Sequence, residues 1–262
     1  MYKRNIVKIV IPLLIISTIL FAGYTFLKSI YVVPVLMYHK IDGAYKESKL
    51  SVSPESFERQ MRFLVDHHYN IVSLDELSDL IRSKNPIPYK TVAVTFDDGY
   101  ENNYTNAYAV LRRYGIPASI FVVVNKIGEQ GYLTWEEIKE MASNGIDIGS
   151  HTLSECYLPD IEDPVRLKNE IFESRSIIQA EIPGEASFIA YCSGGFNERV
   201  RELVIEAGYK GACATNPGKD YPDDDIYAVK RLRISRTSDN LFVFWIETSG
   251  FYTWLKEHRD DD

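Results

Sequence analysis

The sequence predicts a parallel α/β fold, either doubly wound or closed as a barrel, preceded by one membrane-spanning helix. Three observations lead to this prediction. A long apolar segment lies near the N-terminus, strand-like and helix-like segments alternate after it, and acidic and histidine residues stand where strands end. Six or more strands alternate with helices through short connections, which is typical of parallel sheets covered by helices.

The apolar segment predicts a membrane anchor. Residues 9–27 are uncharged and mostly apolar over 19 residues, which is long enough to cross a bilayer as a helix. Lys3, Arg4 and Lys8 precede the segment, and the first acidic residue after it is Asp42. The positive-inside rule therefore keeps the N-terminus in the cytoplasm and exports the remainder of the chain to the cell surface or periplasm.

A cleaved signal peptide is the alternative to an anchor. The segment is longer than the usual apolar core of a signal peptide, and no Ala-x-Ala cleavage site follows it. We therefore expect residues 1–30 to be a cytoplasmic stub and an uncleaved transmembrane helix. Residues 31–262 are expected to be a single extracytoplasmic domain.

Composition limits the classes of partner. The chain of 262 residues is 45% hydrophobic and 25% charged, as expected for one globular domain with a large core. Four of its 29 basic residues lie in the first 28 positions, so the exported part carries 25 basic and 37 acidic residues. Such an acidic surface argues against a nucleic-acid partner. The three cysteines allow one disulfide at most, and we expect Cys213 to be a small buried side chain.

The alternation can be placed along the chain from apolar spacing and turn residues. Strands are predicted at residues 31–39, 71–74, 91–96, 118–124, 147–149, 188–191, 211–214 and 230–234. Helices are predicted at residues 53–64, 74–82, 103–114, 134–143, 164–180 and 197–207. The aromatic segments 241–246 and 251–254 are expected to cover the barrel rather than to contact the membrane.

Two adjacent carboxylates follow one of these strands. Asp97 and Asp98 come after the apolar run 92–94 and are followed by Gly99, which allows the chain to turn. If the chain turns there, one carboxylate can bind a metal while the other acts as a base. A surface turn of the Asp-Asp-Gly type is the alternative. In parallel α/β folds the functional residues lie at the carboxyl ends of strands, which favours a site.

A histidine stands at the end of another predicted strand. His151 follows Gly149 and Ser150, and Glu155 lies four residues beyond it. If residues 154–156 continue as a helical turn, the two side chains share one face and suit a single metal ion. This pair alone is a weak signal, and it gains weight from the Asp97 and Asp98 turn.

Several motifs in one order resemble the polysaccharide deacetylase family, also called the NodB-homology or carbohydrate esterase 4 family. The motifs are residues 34–39, 95–100, 115–121, 133–135, 149–152 and 188–191, within a resemblance covering about residues 31–236. The resemblance implies a distorted (β/α) barrel and metal-dependent removal of N-acetyl groups from exported amino-sugar polymers. The segment 34–39 is most similar to members acting on poly-N-acetylglucosamine.

The resemblance also implies roles for individual residues. Asp97 matches the family's catalytic base, and Asp98 and His151 match two ligands of its divalent metal. A cation polarises the acetamide carbonyl and activates water, while the base accepts the proton. Zinc is expected, with cobalt or nickel as alternatives. The backbone N–H of Ser193 matches the family's oxyanion donor, and Tyr191, Tyr100 and His39 are expected to contact substrate.

Three motifs depart from the family pattern. Glu155 stands where the family has its second ligand histidine, and glutamate is a legitimate oxygen ligand for zinc. The family's Pro-Tyr-Gly segment reads Cys192, Ser193, Gly194. Arg236 stands at the catalytic-acid position, where it cannot shuttle protons but can stabilise an oxyanion. The sequence therefore predicts an anchored, metal-dependent deacetylase, and a catalytically inactive glycan-binding or scaffolding module on the same fold is the alternative.

Overall fold

In a computed structural model the chain is described at residues 2–43, 48, 50–215, 218 and 222–259, with side chains described between residues 12 and 258 of these ranges. A parallel sheet curls into a half-barrel in the strand order β10-β1-β5-β6-β7-β8-β9, and β4 also pairs with β5. The strands are β1 (Val35–Tyr38), β4 (Asn70–Ile71), β5 (Thr91–Phe96), β6 (Ala118–Val122), β7 (Ile146–Ser150), β8 (Phe188–Ala190), β9 (Gly211–Cys213) and β10 (Leu232–Arg233). The short strands β2 (Lys40–Ile41) and β3 (Ser51–Val52) form a second parallel pair.

Helices cover the convex face of the sheet, and one further helix, α1, precedes the sheet in the chain. They are α1 (Tyr2–Ser29), α2 (Pro54–Asp66), α3 (Leu74–Ser83), α4 (Ala109–Tyr114), α5 (Trp135–Ser143), α6 (Pro164–Glu181), α7 (Glu198–Glu206), α8 (Leu241–Glu247) and α9 (Tyr252–Arg259). The predicted alternation of strands and helices is confirmed. Residues 103–114, predicted as one helix, begin as a π-helix over Asn103–Tyr108 before α4.

The helix starts follow from capping residues. The side chains of Ser73 and Thr134 each accept the backbone N–H three residues on, while Glu76 and Glu137 accept the backbone N–H of the cap residue. This reciprocal arrangement satisfies N–H groups that have no partner inside the helix. The caps therefore fix where α3 and α5 begin, and α3 follows β4 after only two residues.

The core lies between the sheet and its helices. All six residues of β5 are buried, as expected for a parallel strand covered on both faces. Tyr38 packs on Phe57 and Phe96, with ring centroids 5.2 and 5.5 Å apart, and its hydroxyl donates to Gln60 Oε1 at 2.8 Å. Tyr38 is thus a core residue, and it fixes the end of β1 beside the end of β5.

One helix near the N-terminus has the length and composition of a membrane span. Residues Pro12–Ser29 of α1 form this window, and none of it is buried in the structure. A signal sequence would pass the same test. The helix ends directly before β1, so α1 enters the half-barrel at the amino-terminal edge of the sheet.

Candidate active site

The side chains of Asp97 and Arg231 form a buried ion pair at the end of β5. The guanidinium donates to both carboxylate oxygens, at 2.6 Å from Nη1 to Oδ1 and 2.7 Å from Nη2 to Oδ2. Arg231 also donates to the carbonyl of Ala214 at 3.0 Å and to the hydroxyl of Thr95 at 3.2 Å. Burial raises the pKa of Asp97, but the charge of Arg231, the charge of His151 and the hydrogen bonds from Arg231 together outweigh burial and hold that pKa below its usual value. Asp97 is therefore ionised at neutral pH and fixed in orientation.

A sharp turn separates the two adjacent carboxylates. Asp98 and Gly99 both have a φ of 72°, in the left-handed region. A Cβ on Gly99 would lie 3.1 Å from Cγ1 of Val122, so this position needs glycine for its conformation and is tight in space. The turn directs Asp97 toward Arg231 and Asp98 toward β7. The predicted divergence of the two carboxylates is therefore present in the structure.

Asp98 meets His151, which follows β7. The distance between His151 Nε2 and Asp98 Oδ1 is 3.5 Å, and both residues are buried. The Nδ1 atom of His151 lies 2.8 Å from the carbonyl of Ala190, so the protonated Nδ1 donates to that carbonyl and Nε2 faces Asp98. Burial raises the pKa of Asp98, although the charge of His151 opposes it. The pair therefore places one nitrogen atom and one oxygen atom side by side, where both could bind one ligand.

Electrostatics favour a charged imidazole when the site holds only protein atoms. Burial lowers the pKa of His151, but the Cys192 sulfur and the carboxylates of Asp97 and Asp98 outweigh this and raise it to about 10. A cation that binds between Asp98 and His151 must therefore displace a proton.

Glu155 does not share a helical face with His151. Residues 152–154 form a turn and residues 155–157 are irregular, and Thr152 and Glu155 have φ values of 67° and 57°, so the predicted helical turn is wrong. The Glu155 carboxylate pairs with the ammonium of Lys126. Among the described residues, no three His, Cys, Asp or Glu side chains are grouped so that they could hold a metal ion. Glu155 stands near the site without joining Asp98 and His151.

A buried carboxylate that the sequence analysis missed shapes this loop. Glu170, on α6, accepts the backbone N–H groups of Leu153 and Ser154 at 3.0 Å each and the Ser154 hydroxyl at 2.5 Å. These bonds fix the loop in a conformation in which Glu155 turns toward Lys126. Glu170 lies in a helix of mixed polarity. The one sequence signal for its role is its position on the helix face that also carries the buried apolar residues.

His39 and Tyr100 lie at the rim beside the Asp97 and Asp98 turn. The Nδ1 atom of His39 is buried without a hydrogen-bond partner. Burial lowers the pKa of His39, while the charges of Asp97 and Asp98 raise it, so His39 lies close to both carboxylates. Burial and the neighbouring Asp98 carboxylate raise the pKa of Tyr100, whose ring stacks on Tyr132 at a centroid distance of 5.2 Å. Both residues therefore lie beside the two carboxylates, and their contact with substrate stays a prediction.

Two predicted site residues lie elsewhere. The side chain of Tyr191 is in the core, stacked on Phe196 at 4.6 Å and donating to the carbonyl of Tyr227 at 3.0 Å. It cannot stack on a sugar in this arrangement. Arg236 is exposed at the start of a 3₁₀ turn, Arg236–Asp239. The guanidinium that contacts Asp97 belongs to Arg231, on the same segment.

Arg231 could have been found from one signal. It stands with Lys230 at the beginning of the predicted strand 230–234, where a charged residue on a buried strand needs a partner of opposite charge. Ser193, in contrast, is exposed in the turn Cys192–Gly194 with a φ of 55°. The turn is retained without the family's proline, so the Ser193 N–H keeps its candidate role.

The cysteines are unpaired. Cys156, Cys192 and Cys213 are all free thiols, and Cys192 and Cys213 are buried, which confirms the prediction for Cys213. The Cys192 sulfur lies 3.4 Å from the hydroxyl of Thr152, below the His151 loop. Its role in the structure is to pack beneath the site.

Comparison with known proteins identifies the family. The model of the polysaccharide deacetylase family matches residues 84–212. YxkH of Bacillus subtilis strain 168, which carries the name of a polysaccharide deacetylase, is 34% identical over 216 residues, covering 82% of this chain and 76% of YxkH. The chain belongs to the polysaccharide deacetylase family. The family's members are hydrolases, and the resemblance read from the sequence motifs is confirmed.

Further relatives and solved structures agree with this assignment. The poly-beta-1,6-N-acetyl-D-glucosamine N-deacetylase of Staphylococcus aureus strain MRSA252 is 26% identical, covering 77% of this chain and 73% of that protein. The Streptococcus pyogenes deacetylase PplD, solved in complex with acetate, superposes with a TM-score of 0.74 at 26% identity, covering 81% of this chain and 97% of PplD. IcaB from Ammonifex degensii, at 24% identity and a TM-score of 0.72 over 83% of this chain and 97% of IcaB, shares the fold.

Proposed function

We propose that this polysaccharide deacetylase is a metal-dependent enzyme that removes N-acetyl groups from an extracytoplasmic amino-sugar polymer. Poly-N-acetylglucosamine is the first candidate substrate, ahead of chitin-like and peptidoglycan glycans, because a relative at 26% identity is named for deacetylating it. The observation that carries the proposal is the pair of carboxylates at the end of β5, one bound to Arg231 and the other facing His151.

Asp97 is the proposed catalytic base. Its two oxygens are held by Arg231, so the carboxylate keeps one orientation while it takes a proton from the water molecule that attacks the acetamide carbonyl. The pair with Arg231 keeps Asp97 ionised through the neutral pH range. A base that accepts a proton from water must be unprotonated at the start of the reaction. The geometry therefore suits proton abstraction by Asp97 rather than proton donation.

The donors at Asp98 and His151 fit a divalent cation in part. An imidazole nitrogen and a carboxylate oxygen are ligands that zinc, cobalt and nickel accept, and the Nδ1 bond from His151 to the Ala190 carbonyl is the usual support for a ligand histidine. Glu155 would add a third ligand on leaving Lys126. When bound, the cation supplies polarisation of the acetamide carbonyl and activation of water.

The remaining polar groups at the rim are assigned to the substrate. His39 offers a buried Nδ1 that lacks a partner, and Tyr100 offers a half-buried hydroxyl beside Asp98. The backbone N–H of Ser193 is the proposed donor to the oxyanion that forms on the acetamide. Buried polar groups that lack partners favour a ligand which satisfies them, so these contacts would select an N-acetylated sugar over a plain hexose.

The site is placed outside the cytoplasm by the proposed anchor. Helix α1 carries the exposed apolar window Pro12–Ser29, and basic residues precede it. The site lies at the carboxyl edge of the sheet, whereas α1 joins the amino edge, directly before β1. The catalytic edge therefore faces away from the bilayer, toward polymer in the surrounding wall or periplasm.

A glycan-binding module without activity is the second candidate. It is favoured by the ion pair between Glu155 and Lys126, which removes the third ligand from the pair formed by Asp98 and His151. Such a module would keep the rim contacts and lose turnover.

Acetate release separates the two candidates. The full chain in detergent, loaded with zinc, cobalt or nickel, is incubated with oligomers of β-1,6- and β-1,4-linked N-acetylglucosamine and with peptidoglycan. We expect acetate from the β-1,6 oligomers, loss of that release on chelation, and recovery on addition of metal. Glycan binding without acetate release under all three metals would contradict the proposal and support the inactive module.

A further inference from the structure

The C-terminal helices meet the membrane helix at one junction. The ring of Trp254, on α9, packs edge-on against Phe26 of α1, with centroids 6.2 Å apart. Phe251 packs in the same way on Tyr31, at 5.8 Å. Phe26 belongs to the apolar window Pro12–Ser29, so Trp254 lies against the segment that is proposed to cross the bilayer.

The backbone fixes this junction. The N–H of Val32 donates to the carbonyl of Gly250 at 2.8 Å. Gly250 has a φ of 83°, and a Cβ there would collide with the ring of Tyr31. Glycine is thus required both for the backbone conformation and for the close approach of the two segments. The α8 and α9 pair is therefore held against the end of α1 and does not merely lie near it.

The outer face of these helices is apolar and aromatic. Phe242 and Trp245 on α8 are 63% and 49% exposed, and Leu255 on α9 is 54% exposed. The rings of Phe242 and Trp245 lie 5.6 Å apart, so they form one patch. The inner face of α8 is different, since Phe244 and Glu247 are buried. An apolar face of this size beside a membrane helix needs an apolar partner.

The composition of the patch fits the surface of a bilayer. Tryptophan and phenylalanine beside lysine are typical of the membrane interface, where the rings enter the acyl boundary and the ammonium reaches water. Lys28 ends α1, and Lys256 lies on α9 next to Leu255. Glu257 is turned the other way, toward Lys230 of the domain, at 2.9 Å.

We propose that Phe242, Trp245, Trp254 and Leu255 rest in the interface of the bilayer that α1 crosses, as a second membrane contact. This replaces the expectation from the sequence that these segments only cover the barrel, which holds for the buried Phe244 but not for the exposed rings of α8. This surface is called the interfacial patch. The inference rests on the proposed anchoring of α1. The contact holds the amino edge of the sheet on the lipid and fixes the catalytic edge at a constant height above it, within reach of polymer rather than of lipid headgroups.

Fluorescence quenching in nanodiscs tests this proposal on the full chain. The chain has three tryptophans, so variants that keep one of them and carry phenylalanine at the other two report one position each. The quencher is a phospholipid with a spin label on the upper part of its acyl chain. We expect the fluorescence of Trp245 and of Trp254 to fall by about half, as for interfacial rings. Trp135, on α5, is the matched control and should keep its fluorescence.

A fourth variant separates the patch from the anchor. Phe26→Trp in a background without the other tryptophans reports α1 itself. Quenching at position 26 with fluorescence of Trp245 unchanged would overturn the interfacial patch and leave the anchor in place. No quenching at position 26 would overturn the anchor and the patch together. Neither outcome involves acetate release, so the deacetylase proposal is tested independently.

A charge variant confirms the contact by a different measurement. Trp245→Glu should increase deuterium uptake of the α8 segment in nanodiscs, whereas Val165→Glu, at an exposed apolar position on α6, should leave it unchanged. Equal uptake in the Trp245→Glu variant and the unaltered chain would contradict the proposal.

Discussion

Arg231 and Asp97 form a bidentate ion pair in which both side chains are almost fully buried, with exposed fractions of 0% and 4%. The pair joins the segment before β10 to the end of β5, two parts of the chain separated by 134 positions. It accounts for the ionised state of Asp97 in a buried place, because a neighbouring guanidinium offsets the cost of removing the carboxylate from water.

Removing one partner of this pair should destabilise the domain strongly. Arg231→Met leaves the Asp97 charge buried and unpaired, so we expect the free energy of unfolding to fall by about 3 to 5 kcal/mol. Denaturant unfolding of the full chain in detergent measures the loss. The double variant Arg231→Met with Asp97→Leu should recover most of it, since neither charge remains. A single variant as stable as the unaltered chain would show that the pair carries no such energy.

Zinc affinity should fall when His151 is replaced and should be kept or raised when Glu155 is replaced by histidine. His151→Ala removes the nitrogen ligand, so we expect zinc affinity measured by calorimetry to fall by at least about 100-fold. Glu155→His should preserve or strengthen binding, because imidazole suits zinc, cobalt and nickel.

Replacing Lys126 tests whether Glu155 is a metal ligand. Lys126→Met frees the Glu155 carboxylate from its ion pair, and zinc affinity should rise if Glu155 is a ligand. Glu58 forms a comparable surface pair with Arg113, so Arg113→Met is the matched control and should leave affinity unchanged. Affinity that is equal in Lys126→Met and the unaltered chain would remove Glu155 from the proposed ligand set.

Stability should decrease between acid and neutral pH because of Glu247. Burial raises the pKa of this residue from 4.5 to about 7, and its Oε2 atom lacks a hydrogen-bond partner. The unfolded chain ionises at lower pH than the folded one, so the contribution to stability is complete below about pH 4.5 and is lost as the pH rises through 7. The total loss is about 3 kcal/mol. Unfolding at pH 5 and pH 8 should differ less in Glu247→Gln than in the unaltered chain, and identical differences would contradict the assignment.

The two tyrosines predicted to contact sugar should behave differently. Tyr191→Phe removes a buried hydrogen bond to Tyr227 and should lower the free energy of unfolding by about 1 kcal/mol without changing KM. Tyr100→Phe removes a rim hydroxyl and should raise KM several-fold with little change in stability, as for one lost hydrogen bond of about 1 kcal/mol. Steady-state kinetics and thermal unfolding of both variants decide this. A raised KM in Tyr191→Phe would return that residue to the site.

The fold and half of the site could be predicted from the sequence for a physical reason. Strand ends, capping residues and the turn at Gly99 are local signals, and they place Asp97, Asp98 and His151 at one edge of a parallel sheet. The partner of Asp97 is not a local signal, because Arg231 reaches the site only once β10 has paired with β1.

Glu155 shows a different limit, because here a local pattern in the sequence predicts the wrong conformation. Its spacing from His151 suits a helix, but the buried carboxylate of Glu170 binds the intervening N–H groups and forces a turn. A contact from another helix thus overrides a local pattern. Tyr191 is similar. It follows the last residue of β8, and its position in the sequence does not show that Phe196 covers its ring.

The most direct test of the account is acetate release by the Asp97→Asn variant. The substitution keeps shape and hydrogen bonding but removes the proton acceptor, so we expect release from β-1,6-linked N-acetylglucosamine oligomers to fall by about 100-fold or more. Zinc content should stay near that of the unaltered chain, because Asp97 is bound by Arg231 and is not among the proposed ligands. Asp66→Asn, at an exposed carboxylate at the end of α2, is the control and should be fully active. Activity of Asp97→Asn equal to that of the unaltered chain, at equal zinc content, would contradict the role of Asp97 as the base.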